Sequence, residues 1–154
     1  MTDFNKWDYR FMARAKEIAN WSKDPDHKVG AVITDLDNFS IGEGFNGPPQ
    51  YSADRGMTRE AQVFRTLHAE VNALLRATKH PHLARTGTTL YVYPLFPCCT
   101  CAAMMIQLKI TRIICMEQTT VPVLSSWERS QEEAARLMRE CDVQLLFMEE
   151  YDGL

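Results

Sequence analysis

The stretch TLYVYPLFPCCTCAAMMIQLKITRIICM, residues 89–116, decides the fold. It opens with β-branched and aromatic residues over 89–93, continues into 98–109 with apolar residues at helical spacing, and ends in the apolar run 112–116. This pattern predicts a strand, a helix and a second strand. Two strands joined by a helix pair in parallel with a right-handed crossover. Ligands are expected at the carboxyl ends of such strands.

The segments on either side extend this alternation. The predicted elements are helices over 7–21, 68–79 and 127–140 and strands over 29–33, 39–45 and 143–148, with a short helix as one reading of 58–66. In the helix over 68–79 we place Val71, Leu74, Leu75 and Thr78 on the apolar side. The pattern predicts a single domain over 1–154 with a three-layer α/β/α sandwich, in which a five-stranded mixed sheet has its last two strands parallel.

Composition narrows the class of protein. The chain has 154 residues, of which 45% are hydrophobic and 24% charged, the balance of a soluble globular domain. The net charge of −3 provides no general positive field, so a long nucleic acid is not expected as a partner. No apolar run approaches the ~20 residues of a membrane-spanning helix, and the polar N-terminus is unlike a signal peptide. We therefore expect a cytoplasmic protein with no membrane partner.

Two clusters of reactive residues open neighbouring helices. His68-Ala69-Glu70 opens one, and Pro97-Cys98-Cys99-Thr100-Cys101 opens the next. The chain has five cysteines, an odd number that disfavours a disulfide framework. Cys98 and Cys101, one helical turn apart, can direct two sulfurs at one ion. With His68 they supply three zinc ligands, which predicts one Zn²⁺ per chain with a fourth position open to water.

Glu70 lies two residues after the ligand histidine and faces a different direction. It is placed to take a proton from the metal-bound water, which equips the site to attack an amidine-like carbon. Two alternatives stay open. A thioredoxin-like redox pair would leave His68 and Glu70 without a role, and a structural zinc site would need a fourth ligand, for which Cys99 is the candidate.

Four segments carry a resemblance to a known family: SKDPDHKVGAVI (22–33), GFNGP (44–48), HAEVNA (68–73) and LFPCCTCA (95–102). H-x-E with P-C-x-x-C is a known signature of zinc nucleobase deaminases. Within the zinc-dependent cytidine/deoxycytidylate deaminase superfamily, the chain resembles the deoxycytidylate (dCMP) deaminases over about 8–148. The resemblance implies a cytidine deaminase-like fold.

The resemblance also implies a reaction: hydrolytic deamination of dCMP to dUMP and ammonia by a zinc-bound hydroxide, which supplies the precursor for thymidylate synthesis. His68, Cys98 and Cys101 would ligate zinc, and Glu70 would carry the proton from water to ring N3 and then to the departing nitrogen. Asn46 matches the family asparagine that binds the nucleotide, and a carboxamide can both donate to and accept from a sugar hydroxyl.

Two places are candidates for the substrate phosphate. Ser22 and Lys23 match the family's Ser-Lys/Arg-Asp-Pro segment, although the end of a helix disfavours anions. Trp127 and Arg129 begin the last predicted helix, where a phosphate can bind and an indole can stack on a base. A solvated loop and ordinary packing are the respective alternatives.

The resemblance implies further partners. Many relatives are homohexamers that dCTP activates and dTTP inhibits, so a homo-oligomer and these two effectors are candidates. Residues 50–66 contain no Cys or His, which argues against a second zinc. Two other functions compete: a zinc deaminase of another cytosine- or purine-type nucleoside or base or of tRNA adenosine, and a non-catalytic zinc-stabilised binding module. The acidic composition and Phe96 argue against tRNA, and Glu70 argues against the binding module.

Overall fold

The computed structural model describes residues 4–53, 55–83, 87–117, 125–151 and 153, and these form one five-stranded sheet with helices on both faces. In these residues the helices are α1 (Lys6–Ala19), α2 (Arg59–Arg65), α3 (Ala69–Ala77), α4 (Cys99–Gln107) and α5 (Ser125–Glu140). The strands are β1 (Gly30–Thr34), β2 (Ser40–Phe45), β3 (Thr89–Tyr93), β4 (Arg112–Met116) and β5 (Gln144–Met148). Each predicted element is present, with ends that differ from the prediction by at most two residues.

The strand order β2-β1-β3-β4-β5 makes the sheet mixed. β1 is antiparallel to both of its neighbours, while β3, β4 and β5 run parallel. α4 connects β3 to β4, and α5 connects β4 to β5, which are the crossovers that parallel pairing requires. The predicted mixed sheet with its last two strands parallel is confirmed.

Side chains of β1 divide between two cores because successive strand residues point to opposite faces. Val32 packs with Met12 and Ile18 of α1 on one face. Ala31 and Ile33 belong to the core on the other face. That second face is covered by α3, α4 and α5 through buried Ala73, Met105, Ala134 and Met138. The predicted three-layer sandwich is confirmed.

Glycines in β2 bring α3 directly onto the sheet. A Cβ atom on Gly44 would lie 2.5 Å from the backbone oxygen of Ala69, and one on Gly42 would lie 2.3 Å from that of Ala73. No side chain fits either space, so the helix backbone rests on the strand backbone. Asn72 adds a hydrogen bond from Nδ2 to the carbonyl of Phe45 at 2.8 Å. These contacts position the first turn of α3.

The apolar side predicted for α3 is only partly buried. Its buried face includes the small residues Ala69, Ala73 and Ala77, and Leu74 is also buried, but Leu75 is 53% exposed. Because α3 lies so close to β2, only small side chains fit between them. On the flank of α3, an apolar groove between α3 and α4 is lined by Val71, Leu74, Leu75, Thr78, Met104, Gln107 and Leu108.

In the described part of the chain, no helix combines the length and the apolar character needed to cross a bilayer.

Candidate metal centre and adjoining cleft

Three side chains from two helix starts converge on one point. His68 is the N-cap residue of α3, Cys98 is the N-cap residue of α4, and Cys101 lies in the first turn of α4. The Nδ1 atom of His68 is 3.6 Å from Sγ of Cys98 and 3.4 Å from Sγ of Cys101. Cys98 Sγ also accepts a hydrogen bond from the backbone N–H of Cys101 at 3.5 Å. The helix start therefore holds this sulfur in place.

The pKa values of these three groups diverge because the groups are packed against one another. Hydrogen bonds from Cys101 and His68 lower the pKa of Cys98 to about 4, although burial acts in the opposite direction. The contact with Cys98, together with burial, raises the pKa of the Cys101 thiol. The contact with Cys98 also raises the pKa of His68. The site thus stabilises a thiolate beside a second sulfur and an imidazole, which are donors that bind metals.

This donor set fits zinc. Nitrogen and sulfur ligands at the usual zinc distances in a tetrahedron are separated by about 3.4–3.8 Å, and the three donor atoms lie within 4.8 Å of one another. Among the residues described, His68, Cys98 and Cys101 form the group whose donor atoms are close enough to share one ion, and Cys99 is not a member. Three protein ligands leave one tetrahedral position open, which is typical of catalytic zinc sites.

Glu70 is a buried carboxyl group next to the metal group. It lies in the first turn of α3 and is 4% exposed. Burial raises the pKa of Glu70 to about 7, although its own backbone N–H and His68 act to lower the pKa. A carboxyl group that titrates near neutrality can accept a proton and return it within one reaction cycle.

A cleft of about 330 Å³ opens beside these residues, within the size range of small-ligand sites. His68, Glu70 and Cys98 form part of its lining. The loop after α1, the end of β2, α2, the β3–α4 loop and α5 supply the other walls. The apolar part of the lining is Val29, Val63, Ala69, Leu95, Phe96 and Trp127. An aromatic base is the kind of ligand that such walls accommodate.

Asn46 and Ser22 form a buried hydrogen-bonded unit at this cleft. Asn46 lines the cleft, its Oδ1 accepts from the N–H of Val29 at 2.8 Å, and its Nδ2 donates to the carbonyl of His27 at 2.7 Å. Ser22 donates its hydroxyl to the carbonyl of Asn46 at 2.8 Å and accepts from the N–H of Asp24. These bonds join the end of α1 to the end of β2. Among the residues described, Nδ2 makes this one hydrogen bond, so its second amide hydrogen is a candidate donor to a ligand.

The other predicted nucleotide contacts separate into two groups. Trp127 lines the cleft, with its ring centroid 5.7 Å from that of His27 and 6.3 Å from that of His68. Lys23 and Arg129 are exposed and are not among the described residues that line the cleft. The functional roles assigned to all of these residues stay predictions.

The structure adds cleft residues to which sequence reasoning gave no role. His27 follows Asp26 in the loop after α1, and Arg59 begins α2, yet both line the cleft. Arg59 donates to Asp24 at 3.1 Å and pairs with Asp26 at 2.8 Å. His27 lies in segment 22–33, which carries part of the family resemblance, so the sequence did contain a signal that this residue could be near the site. The sequence contained no such signal for Arg59, because Asp24 and Asp26, its partners at the cleft, lie more than 30 residues away.

A family model covers most of the chain. The model for the cytidine and deoxycytidylate deaminase zinc-binding region matches residues 5–117. This range includes His68, Glu70, Cys98 and Cys101, and it ends before α5.

Individual relatives agree with this match. An uncharacterized deaminase in the luxG 3' region of Aliivibrio fischeri is 42% identical over 80% of each chain. Human deoxycytidylate deaminase is 34% identical over 74% of this chain, which spans 66% of the human protein. Among solved structures, a dCMP deaminase from the cyanophage S-TIM5 in complex with dCMP and dUMP has a TM-score of 0.73 at 18% identity, covering 96% of this chain and 99% of that one. At this low identity, the similarity to the cyanophage protein shows a shared fold.

Replacing single cysteines distinguishes a three-ligand zinc site from a structural zinc site in which Cys99 is the fourth ligand. We expect Cys98→Ala to lose bound zinc and thermal stability together, because metal-binding free energy contributes to folding. Cys99→Ala is the matched control, since Cys99 lies beside Cys98 but outside the metal group. Zinc content by mass spectrometry and the unfolding temperature test this. Loss of zinc from Cys99→Ala would instead indicate a four-ligand structural site.

Proposed function

We propose that this chain, which belongs to the cytidine and deoxycytidylate deaminase zinc-binding family, hydrolyses dCMP to dUMP and ammonia. The observation that carries the proposal is the buried carboxyl group of Glu70 beside three converging zinc donors, at one end of a cleft of nucleotide size. Relatives named deoxycytidylate deaminase, at 34% identity in human and other animals, support dCMP as the substrate.

His68, Cys98 and Cys101 would hold the zinc. When bound, zinc supplies a Lewis acid that lowers the pKa of a water molecule. Glu70 accepts a proton from the attacking water and delivers it to N3 of the cytosine ring. The water oxygen bonds to C4 as a hydroxyl group. Glu70 then carries the proton of this hydroxyl to the amino nitrogen, and the C4–N bond breaks as the C4 carbonyl forms, which releases ammonia. The elevated pKa of Glu70 suits both directions of this transfer.

The cleft walls would place the base and sugar. Phe96 and Trp127 supply flat apolar surfaces for the base. Asn46 offers its remaining amide hydrogen to a sugar hydroxyl, while its other polar atoms hold the backbone of His27 and Val29. Its role would thus combine ligand binding with support of the cleft wall.

For the phosphate we propose the side of the cleft formed by the loop after α1. Ser22 and Lys23 begin this loop, and Asp24, Asp26 and His27 continue it into the cleft lining. Trp127 and Arg129 of α5 form the second candidate set. Trp127 lines the cleft, while Arg129, like Ser22 and Lys23, lies outside the lining, so in either set the cationic side chain would need to reach inward.

One observation favours a second candidate function, deamination of an uncharged nucleoside. Asp24 and Asp26 both line the cleft, and both pair with the single guanidinium of Arg59. Two carboxylates against one cation leave this part of the cleft acidic, which disfavours a phosphate dianion. Deamination of a purine base or of tRNA adenosine has no such support from the described residues.

Turnover of a substrate panel decides between the two candidates. We expect kcat/KM for dCMP to exceed that for deoxycytidine by roughly 10- to 100-fold, because one charge-assisted hydrogen bond to phosphate contributes about 1.5–3 kcal/mol. Ammonia release from dCMP, deoxycytidine, CMP, cytosine and guanine provides the measurement. Equal values for dCMP and deoxycytidine would reject phosphate recognition and favour the nucleoside.

Glu70→Gln tests the proton transfer. The amide keeps the size of the side chain but cannot carry the proton, so we expect kcat to fall by roughly 100- to 10,000-fold with zinc content and unfolding temperature retained. Glu132→Gln, at an exposed position on α5, is the control. Undiminished turnover by the Glu70 variant would remove the proposed proton carrier.

We also propose a homo-oligomer that forms through the apolar groove between α3 and α4. Leu75 and Met104 are 53% and 39% exposed there, and a second copy would cover them. The effectors dCTP and dTTP stay predictions. Sedimentation velocity tests the homo-oligomer, and a monomer would contradict it. Turnover of dCMP with and without each nucleotide tests the effectors, and unchanged turnover would contradict them.

We further propose that residues 1–154 form one deaminase domain in the cytoplasm. A site that depends on thiolate ligands is best preserved in a reducing compartment. Fractionation of cells that produce the protein checks this location.

A further inference from the structure

Helix α5 reaches the metal centre although it lies beyond the range that the family model matches. Trp127, Ser130 and Gln131 are spaced i, i+3 and i+4, so they lie on one face of this helix. Trp127 lines the cleft beside His68. Ser130 and Gln131 bind backbone atoms on the two sides of Cys98.

Ser130 holds the peptide group that follows Cys98. Its Oγ accepts a hydrogen bond from the backbone N–H of Cys99 at 2.9 Å. This N–H belongs to the first turn of α4 and has no partner within its own helix. The carbonyl of Cys98, at the other end of the same planar peptide, accepts from the N–H of Ala102 at 2.9 Å. With both ends bound, rotation of this planar peptide is restrained, which restrains the backbone at Cys98 and so the direction of its Cα–Cβ bond.

Gln131 holds the chain on the other side of Cys98. Its Nε2 donates to the carbonyl of Phe96 at 2.9 Å. The next residue is Pro97, which has no N–H, so the Phe96 carbonyl is the one polar group through which this peptide can be held. Phe96 also lines the cleft. The bond therefore fixes a cleft wall and the approach to Cys98 together.

We propose that Ser130 and Gln131 are positioning residues that clamp the Phe96–Cys99 turn and direct the Cys98 sulfur toward the metal. This inference rests on the proposed role of Cys98 as a zinc ligand. The clamp links α5 to the metal site, and Trp127 on the same helix face links it to the cleft. A displacement of α5 would change zinc affinity and substrate binding together.

Zinc affinity of Ser130 variants tests the clamp. We expect Ser130→Ala to weaken zinc binding about tenfold, since loss of a group that orients a metal ligand typically costs 10–100-fold in affinity. Ser130→Thr retains the hydroxyl and should recover most of the affinity. Ser126→Ala removes an exposed serine from the same helix and should leave the affinity unchanged. Competition with a chromophoric chelator gives the dissociation constants.

Two further measurements distinguish positioning from general stability. The thiolate-to-metal absorption of the cobalt-substituted protein should change in Ser130→Ala and in Gln131→Met, but not in Ser126→Ala. The gain in unfolding temperature on adding zinc should shrink in the same two variants. Equal losses of stability with and without zinc, at unchanged affinity and spectrum, would show that the two bonds serve helix packing alone and would overturn the proposal. Because none of these readouts uses substrate, failure to deaminate dCMP gives a separate result.

Discussion

The structure depends on the meeting of two helix starts, where one imidazole nitrogen lies within 3.6 Å of two sulfurs. Burying one imidazole and two thiols costs free energy unless these polar groups are bound to a partner. Here they lower the pKa of one thiol and raise the pKa of the other, so the cluster is prepared for a cation. Glu70 is buried beside these three groups, and its pKa is elevated because burial removes water from its carboxyl group. The candidate metal site and the proposed proton transfer by Glu70 thus depend on the same buried environment.

The position of this meeting point follows from the packing of α3 on β2. Gly42 and Gly44 provide no side chain, and the alanines of α3 fill the narrow space between helix and strand. His68 begins that helix, so its place is set by backbone contact and not by a flexible loop. Leu75 follows Ala73 by two residues, about 200° around the helix, so it faces away from β2 and borders the apolar groove beside α4. The close packing therefore sets the place of the site, and the turn of α3 leaves Leu75 on the surface proposed for assembly.

The cleft combines segments that are far apart in the chain. Its size and apolar walls suit an aromatic base, whereas its charged groups are less favourable to a phosphate. Arg59 pairs with Asp24 and Asp26, so its charge is already compensated. A phosphate would have to compete with these carboxylates or draw on a neighbouring cation. The contacts that α5 makes at the cleft differ from these charged contacts. Its Ser130 and Gln131 bind backbone atoms, and this contact depends on shape and not on charge.

The sequence by itself determined the type of every element except the one over 58–66, where a short helix was one of two readings, and it placed their ends to within two residues. This was possible because the periods of 2 and 3.6 residues are local properties. The sequence also indicated the candidate metal donors, since a helical turn separates Cys98 from Cys101 and both clusters begin helices. Only the tertiary structure decided that β1 lies between β2 and β3. It also brought Arg59 and Ser130 to the site. At the site, Arg59 pairs with Asp24 and Asp26 and Ser130 binds Cys99, each more than 30 residues away along the chain. Local sequence patterns cannot indicate contacts between segments that come together only when the chain folds.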